Sequence, residues 1–517
     1  MPRTRATQHL SPEACTAADL LQKLIFTNPF LPEREQLNRE IQAIAKSMGI
    51  QADADGPDTF SDNPNSRSFT RLSSTLIEAI DASRRDSKTP WTEAMLERRE
   101  HLAYVLLFHR HMASIDRHIR QSMEDPLNNP RWNDFRLLER DYRSLFETQA
   151  TQARAPAYDA ATLTAFFAQI RRAFFLSWRT LAGDAPVLRQ LRARVWQSTF
   201  THNMKRYLAQ LHPYMGEINT LITGPSGSGK EVIARCIGLS RLIPFDPATA
   251  SFERNFVETF HGINLSALSS TLIESELFGH RKGAFTGALE HREGYFASCG
   301  ACGTVFLDEI GDTDPAIQVK LLRVLQTRQF QRMGDTATLP FKGKVLAATH
   351  VDLIEAMQRQ RFREDLFYRL NADLIQTPSL SRVLEERSDE LPKLILHIAR
   401  KFAGETAGET LAQETMDWTR KHLSPDYPWP GNFRELEQCV RNVMVHGEYH
   451  PPVLHRPQAA RNNEAALAFA NGTFDLDALC RAYIRQEYQR CPQLKALAVK
   501  LGADPRTLRK YLLDKSG

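Results

Sequence analysis

The sequence predicts an α/β core held between an all-α region before it and an all-α unit after it. Three observations point there. Up to about residue 190, apolar residues recur at three- and four-residue steps, the period of one helix face. Beyond it, the runs INTLITG, GTVFLDEIG and KVLAATH are short, apolar and β-branched, and each ends in small or polar residues. Parallel strands end this way where they hand loops to a ligand. Near the C-terminus, LKALAVKLGADPRTLRKYLLDK reads as two amphipathic helices around a glycine.

In chain order, helical patterns run through 15–28, 34–47, 71–84, 133–148, 159–182 and 186–211. Another carries Leu102, Val105, Leu106, Met112, Ile115 and Ile119 on one face. ADADGPDTFSDNPNS, EDPLNNPRW and ARAPAYD mark the loops between them. His101, His109, His111 and His118 share one of these helices and are expected on its solvated side. The boundaries follow as a helical region 1–190, an α/β part 191–377, further helices 378–447, a linker 448–473 and a small helical unit 474–517.

Composition narrows the setting. The chain is 42% hydrophobic and 25% charged, as soluble globular proteins are, and long enough for several cores. A net charge of +5 is small for 517 residues, so any basic surface must be local. The longest apolar run, LAYVLLF, is far too short to span a bilayer, and MPRTRATQHLSPE lacks the apolar core of a signal peptide. No membrane association is expected. Seven scattered cysteines do not form a disulfide framework, so a reducing cytoplasm is the expected location. Cys299 and Cys302 form a lone CxxC with no second pair to complete a zinc site; a tight turn entering a strand is expected instead.

GPSGSGK, comprising Gly224, Pro225, Ser226, Gly227, Ser228, Gly229 and Lys230, stands between a strand and a helix. In that context the glycines let backbone N–H groups wrap a phosphate chain, and the helix dipole favours it. Lys230 is expected to pair with the β- and γ-phosphates of ATP. Glu231 stands where Ser or Thr usually holds magnesium. Some eighty residues on, VFLDE ends in Asp308 and Glu309. Beside a phosphate loop, Asp308 would hold Mg2+ and Glu309 would polarise the attacking water.

HRKGAFTGALEH supplies the most specific signal. Joined in order to the phosphate loop, VFLDEIG, FREDLFYRL and WPGNFREL, the segment ESELFGHRKGAFTGA resembles the AAA+ activators of sigma-54 RNA polymerase, over residues 195–445. That family carries GKE in its phosphate loop, which accounts for Glu231. The resemblance implies an α/β AAA+ P-loop domain with a helical lid. It also implies an ATPase that assembles from dimers into a hexameric ring and remodels the closed sigma-54 holoenzyme complex at a promoter.

By position, the resemblance makes Asn264 the switch that restrains Glu309 and Thr349 the sensor of the γ-phosphate. Arg363 and Arg369 correspond to arginine fingers reaching a neighbour's nucleotide, and Arg434 to a second sensor on the lid. Gly283, Ala284, Phe285, Thr286, Gly287 and Ala288 form the loop that grips sigma-54. Two departures stand out. LIPFDPATASFERNFVETFHG and PSLSRVLEERSDEL are both longer than the family's connections, and no receiver domain is evident upstream.

In the closing segment, Gly502 ends one helix, and Asp504 and Pro505 start the next. Residues 494–517 hold six basic side chains against two acidic ones. The expected fold is a helix-turn-helix whose Arg506, Thr507, Arg509 and Lys510 face DNA. The family's Fis-type DNA-binding domain occupies this place, which implies an upstream activator site as its target. The competing readings are a regulator in which ATP only controls assembly, and a remodeller of some other protein.

Overall fold

The computed structural model describes residues 11–50, 64–85, 92–147, 155–451 and 494–513, with residues 480, 483, 484, 487 and 488. Met1–Glu448 and Tyr449–Gly517 form two compact units.

Seven helices open the first unit: α1 (Pro12–Phe26), α2 (Pro32–Ser47), α3 (Pro64–Arg85), α4 (Glu93–Glu124), α5 (Phe135–Phe146), α6 (Ala160–Thr180) and α7 (Pro186–Phe200). Local chemistry sets several starts. Ser11, Thr92 and Asp159 cap α1, α4 and α6 by accepting backbone N–H bonds, and proline opens α1, α2, α3 and α7. The helix expected over 186–211 stops at Phe200, because Thr201 takes a left-handed conformation (φ 64°). Residues 204–211 coil again, as a short α turn and a π turn, which is why the periodicity runs on.

The histidines of α4 are not on a solvated face. This 32-residue helix is packed by α1, α3, α5 and α6, so both its apolar stripe and much of the opposite side are covered. His101 meets the edge of Phe26 at 5.4 Å, His111 bonds to Asp141 at 3.1 Å, and His118 lies 5.3 Å from the Phe252 ring. Burial pushes His118 down to about 4 and also lowers His111, so both are neutral near pH 7.

Between α4 and α6, Arg171 grips Asp116 through two bonds of 2.7 and 2.8 Å, both side chains buried. Burial raises the Asp116 carboxyl despite its partner, so the intact pair adds little stability but is costly to break. Asp116→Ala should therefore lower unfolding free energy by about 3–5 kcal/mol, read as a fall in urea midpoint; a change under about 1 kcal/mol would contradict a dry pair.

The α/β core is a five-stranded, wholly parallel sheet in the order β11-β1-β10-β7-β4. Its strands are β1 (Thr220–Thr223), β4 (Phe260–Asn264), β7 (Thr304–Asp308), β10 (Lys344–Thr349) and β11 (Asp373–Gln376). Leu221, Ile222, Val305, Leu307, Val345 and Leu346 are fully buried, as strands covered on both faces must be. Three of the five strands are legible in the sequence. FHGIN and DLIQ are not, because only Ile263 and Ile375 of their residues are buried, so neither carries a continuous apolar run. The helix α8 (Lys230–Gly238) follows β1, and α9 (Ser270–Phe278) follows β4.

Both lengthened stretches meet the N-terminal helices. The first forms a hairpin of β2 (Phe245–Asp246) and β3 (Ser251–Phe252). There the Trp132 backbone N–H donates to the Ala250 carbonyl at 2.8 Å, and the Phe135 ring packs against Phe245 at 4.6 Å, tilted by 47°. Asn255 donates to the carbonyls of Ser122, Asp125 and Asn128 at the end of α4. In the second, Glu386 accepts the Val187 N–H at 2.9 Å and Glu390 accepts that of Asp184 at 2.7 Å, at the start of α7. Both segments dock the helical region.

Cys299 and Cys302 wrap the turn that enters β7, as expected of a tight turn, and both thiols are buried. Among the described residues no helix is long and apolar enough to cross a membrane.

In the second unit, Leu494–Leu501 and Pro505–Leu513 are helices around a core of Ile484, Leu497, Ala498 and Leu508. Gly502 takes φ 61° between them, and Asp504 accepts the Arg506 N–H at 2.7 Å. Arg506, Thr507, Arg509 and Lys510 are exposed. Of the expected linker, residues 452–473 lie outside the described residues.

Candidate functional site

The C-terminal ends of the parallel strands gather the predicted groups, as this topology demands. From β1 the chain turns through Gly224–Lys230 into α8, whose first turn presents free N–H groups along the loop. Lys230 is buried, and its ammonium donates to the carbonyls of Gly224 and Pro225 at 3.1 and 3.3 Å. Burial lowers its pKa, while Glu309 and Asp308 nearby push it back up. Glu231 is exposed on the next position, 4.0 Å from Arg235.

β7 places Asp308 beside Asn264 of β4 in register. Burial, and then the neighbouring Glu309 charge, raise the Asp308 carboxyl; a bound cation would reverse that. Glu309 sits in a left-handed conformation (φ 54°), a strained state of the kind found at functional sites. Its carboxylate accepts from His350 Nδ1 at 2.7 Å and from the His350 N–H at 3.3 Å. Asn264 instead bonds to Ser266 at 2.8 and 3.0 Å, so in this state the partner of Glu309 is His350. Asp312 closes the group, with Glu309, Asp312 and His350 offering polar atoms within 4.8 Å of one another. Thr349 ends β10 fully buried and accepts the Val351 N–H at 3.0 Å.

The lid clamps the phosphate loop. It comprises α12 (Leu380–Glu386), α13 (Glu390–His422) and α14 (Asn432–His446), with α11 (Glu364–Leu370) preceding it. Trp429, Pro430 and Gly431 turn into α14, with Trp429 at φ 47° and Asn432 at φ 54°. A Cβ on Gly227 would lie 2.2 Å from the Gly431 carbonyl oxygen, so only glycine lets lid and loop approach this closely. Asn432 donates to the Ser226 carbonyl at 2.9 Å, and Arg434 reaches Ser226 Oγ at 3.5 Å. Thr377, directly after β11, contacts Ser228. Asn432, Thr377 and His350 were not singled out from the sequence. Only His350 had a signal, standing directly after Thr349.

Arg363 and Arg369 stay apart from this cluster's hydrogen bonds. Arg363 pairs with Asp365 at 2.7 Å and stands just before α11, Arg369 lies on that helix, and both are exposed. The loop of residues 283–288 caps the hairpin of β5 (Gly279–His280) and β6 (Arg292–Glu293). Gly283 (φ 83°) and Gly287 (φ 107°) need glycine for conformation, with open space around them. The Gly283 N–H donates to the Ala288 carbonyl at 2.8 Å and closes the loop. Thr286 is exposed. Phe285 is half-buried, its ring edge-on to His280 at 5.0 Å, and Ala288 is buried. A second hairpin, β8 (Gln329–Gln331) with β9 (Thr338–Pro340), supports it through Arg281–Asp335 at 2.8 Å.

Comparison with known proteins agrees with this arrangement. Residues 196–376 match the sigma-54 interaction domain and residues 385–452 the AAA+ ATPase lid domain. The chain is 42% identical over 237 residues to the transcriptional regulatory protein ZraR of Salmonella typhimurium, covering 45% of this chain and 49% of that one. It is 41% identical over 248 residues to the Nif-specific regulatory protein of Herbaspirillum seropedicae, covering 47% and 42%. With the sigma54-dependent transcriptional regulator SfnR of Pseudomonas fluorescens it shares 39% over 253 residues, covering 49% and 63%. The matches thus span about half the length of these relatives.

Proposed function

We propose that this chain is an ATP-driven transcription activator that remodels sigma-54 RNA polymerase from its closed to its open promoter complex. One observation carries the reading. The segment matching the sigma-54 interaction domain holds a complete set of phosphate-loop and carboxylate groups and, on the same fold, the hairpin-tip loop 283–288.

The N–H groups of Gly224–Gly229 and the Lys230 ammonium bind the phosphates of ATP. Mg2+, held by Asp308, would supply charge neutralisation at the β- and γ-phosphates. Glu309 orients and deprotonates the attacking water, Asn264 restrains Glu309, and Thr349 and Arg434 register the γ-phosphate. Arg363 and Arg369, being exposed, suit a site on a neighbouring subunit, where cations offset charge developing at the γ-phosphate. This makes a homo-oligomeric ring the active form. Arg506, Thr507, Arg509 and Lys510 form a basic face that fits the major groove of upstream DNA.

Full-length protein with ATP should convert sigma-54 holoenzyme on a promoter to heparin-resistant, permanganate-reactive complexes, and a non-hydrolysable analogue should not. ATP hydrolysis without promoter melting would transfer the remodelling to another target.

A further inference from the structure

At the end of the sheet away from the phosphate loop, the start of β10 and the end of α8 meet the π turn that follows α7. Between them lies a cavity of about 190 Å³. That exceeds an engineered cavity of ~150 Å³ that takes up one benzene ring, so a small polyatomic ligand fits. Lys344, Arg241 and His212 line it, and no aspartate or glutamate does.

Lys344 is buried, and its ammonium donates to the Ile218 carbonyl. An ammonium carries three donors, and among the described residues the others have no acceptor. Arg241 donates from its two terminal nitrogens to the carbonyls of Gly303 and Ala301, at 3.2 and 3.1 Å. Arg172, which is not itself in the wall, donates to the Arg241 carbonyl and is buried with its Nε unpartnered. None of these three cations forms an ion pair among the described residues. Asp373, whose charge reaches Lys344, accepts instead from Thr220 Oγ1 at 2.9 Å. The His212 Nδ1 atom is also buried without a hydrogen-bond partner. Gln169 and Tyr207, by contrast, satisfy one another across the wall at 2.7 and 3.0 Å. Burial, and then the Arg241 charge, push Lys344 down to about 7, as befits a cation with no counter-charge in place.

The wall therefore offers donors and positive charge, and its occupant must supply the opposite. A cation would be repelled, and a neutral molecule would leave the ammonium both desolvated and unmatched, which is costly. Chloride presents a single centre, whereas the donors stand on different elements and call for an ion with several acceptor oxygens. We propose that this cavity binds a phosphate or sulfate group, held by the Lys344 ammonium and the Arg241 guanidinium. The site lies at the opposite end of β10 from Thr349 and rests on no part of the ATPase reading.

Calorimetry on the full-length protein saturated with ADP, which occupies the phosphate loop on the reading above, isolates this cavity. Sodium phosphate and sodium sulfate should each bind saturably, and sodium chloride at matched ionic strength should not. Lys344→Met should weaken both roughly ten- to hundredfold, the worth of a hydrogen-bonded charge. Ala301→Trp, on the exposed rim, should block entry with Lys344 and Arg241 in place. Thermal unfolding adds a readout that a purely structural lysine would not give. Sulfate at low millimolar concentration should raise the midpoint of the parent chain and not that of Lys344→Met. Without sulfate, the variant's midpoint should be no lower than the parent's, because an apolar chain replaces a buried charge that lacks a counter-charge. Weaker binding of glycerol phosphate than of inorganic phosphate assigns the site to the free ion, and tighter binding assigns it to a phosphate ester. Absent heats, heats matched by chloride (an adventitious ion only), or affinity unmoved by both variants would overturn the site. So would a Lys344→Met chain destabilised equally with and without sulfate, which would make Lys344 no more than a cap on the Ile218 carbonyl. Lys344-dependent uptake of sulfate by a chain that binds no ADP would refute the nucleotide reading and leave the cavity standing.

Discussion

Glu309→Gln should lower ATP turnover by about 10²–10⁴-fold, the usual worth of a positioned general base, and leave ATP affinity within about twofold. The substitution is close to isosteric, and an amide oxygen can still accept from the His350 N–H, which now lies 3.3 Å from the carboxylate. The left-handed backbone at Glu309 and the sheet beneath it are therefore kept. What is lost is basicity at one oxygen. The groups assigned to phosphate binding, Lys230 and the N–H groups of Gly224–Gly229, are untouched, so a Kd for a fluorescent ATP analogue should separate from kcat. Unchanged turnover would move the base to another residue. His350 gives the result further content. Glu309 is held by the imidazole here, so as the proposed base it would have to leave that bond, or share it, to face a water at the γ-phosphate. The His350–Glu309 contact describes a state in which the carboxylate is parked.

That contact also shows where sequence reading ends. Strands β1, β7 and β10 announce themselves because buried parallel strands need continuous apolar runs. Lys230 and Asp308 follow from the phosphate-loop motif and the acidic strand end, whereas Thr349 is named only by the family resemblance. Glu309 follows from its place beside Asp308. Its partner does not, because the choice between Asn264 and His350 is made by side-chain torsions that no spacing encodes. Thr377 and Asn432 are invisible for a related reason. They meet the phosphate loop across roughly 150 and 200 residues of sequence, Thr377 through the pairing of β11 with β1 and Asn432 through the packed lid. The α4 histidines fail differently. Helical periodicity finds the most apolar face, but a helix packed on several sides keeps only a narrow exposed stripe, here Arg110, Ala113, Arg117 and Arg120, and the histidines lie off it. The two lengthened connections were legible as extra length; that both receive the N-terminal helices is a property of the fold.

Thr286→Ala should abolish promoter opening and leave ATP turnover within about twofold, and the structure says why this position separates the two so cleanly. Thr286 is exposed at the hairpin tip, and among the described residues its side chain makes no hydrogen bond. Removing its hydroxyl and methyl group there should shift stability by no more than about 0.5 kcal/mol. Phe285 is a poorer probe. Its ring lies on His280 and is half-buried, so truncation disturbs the loop's resting packing together with any contact it makes. The loop itself is closed by its own backbone bonds between Gly283 and Ala288, and no catalytic side chain touches it. On the proposed function, transmission between nucleotide and tip runs through α9 and the two hairpins rather than through direct contact. If Thr286 is a central contact with the polymerase, losing it costs about 2 kcal/mol or more, some thirtyfold in complex stability. The two measurements belong on one preparation: phosphate release, and permanganate reactivity of a sigma-54 promoter. Full melting with the alanine variant would remove Thr286 from the interface, and parallel loss of both activities would place it in the motor instead. Loss of melting alone is the signature of a coupling loop, because only a group outside the chemistry can fail to transmit it while letting it proceed.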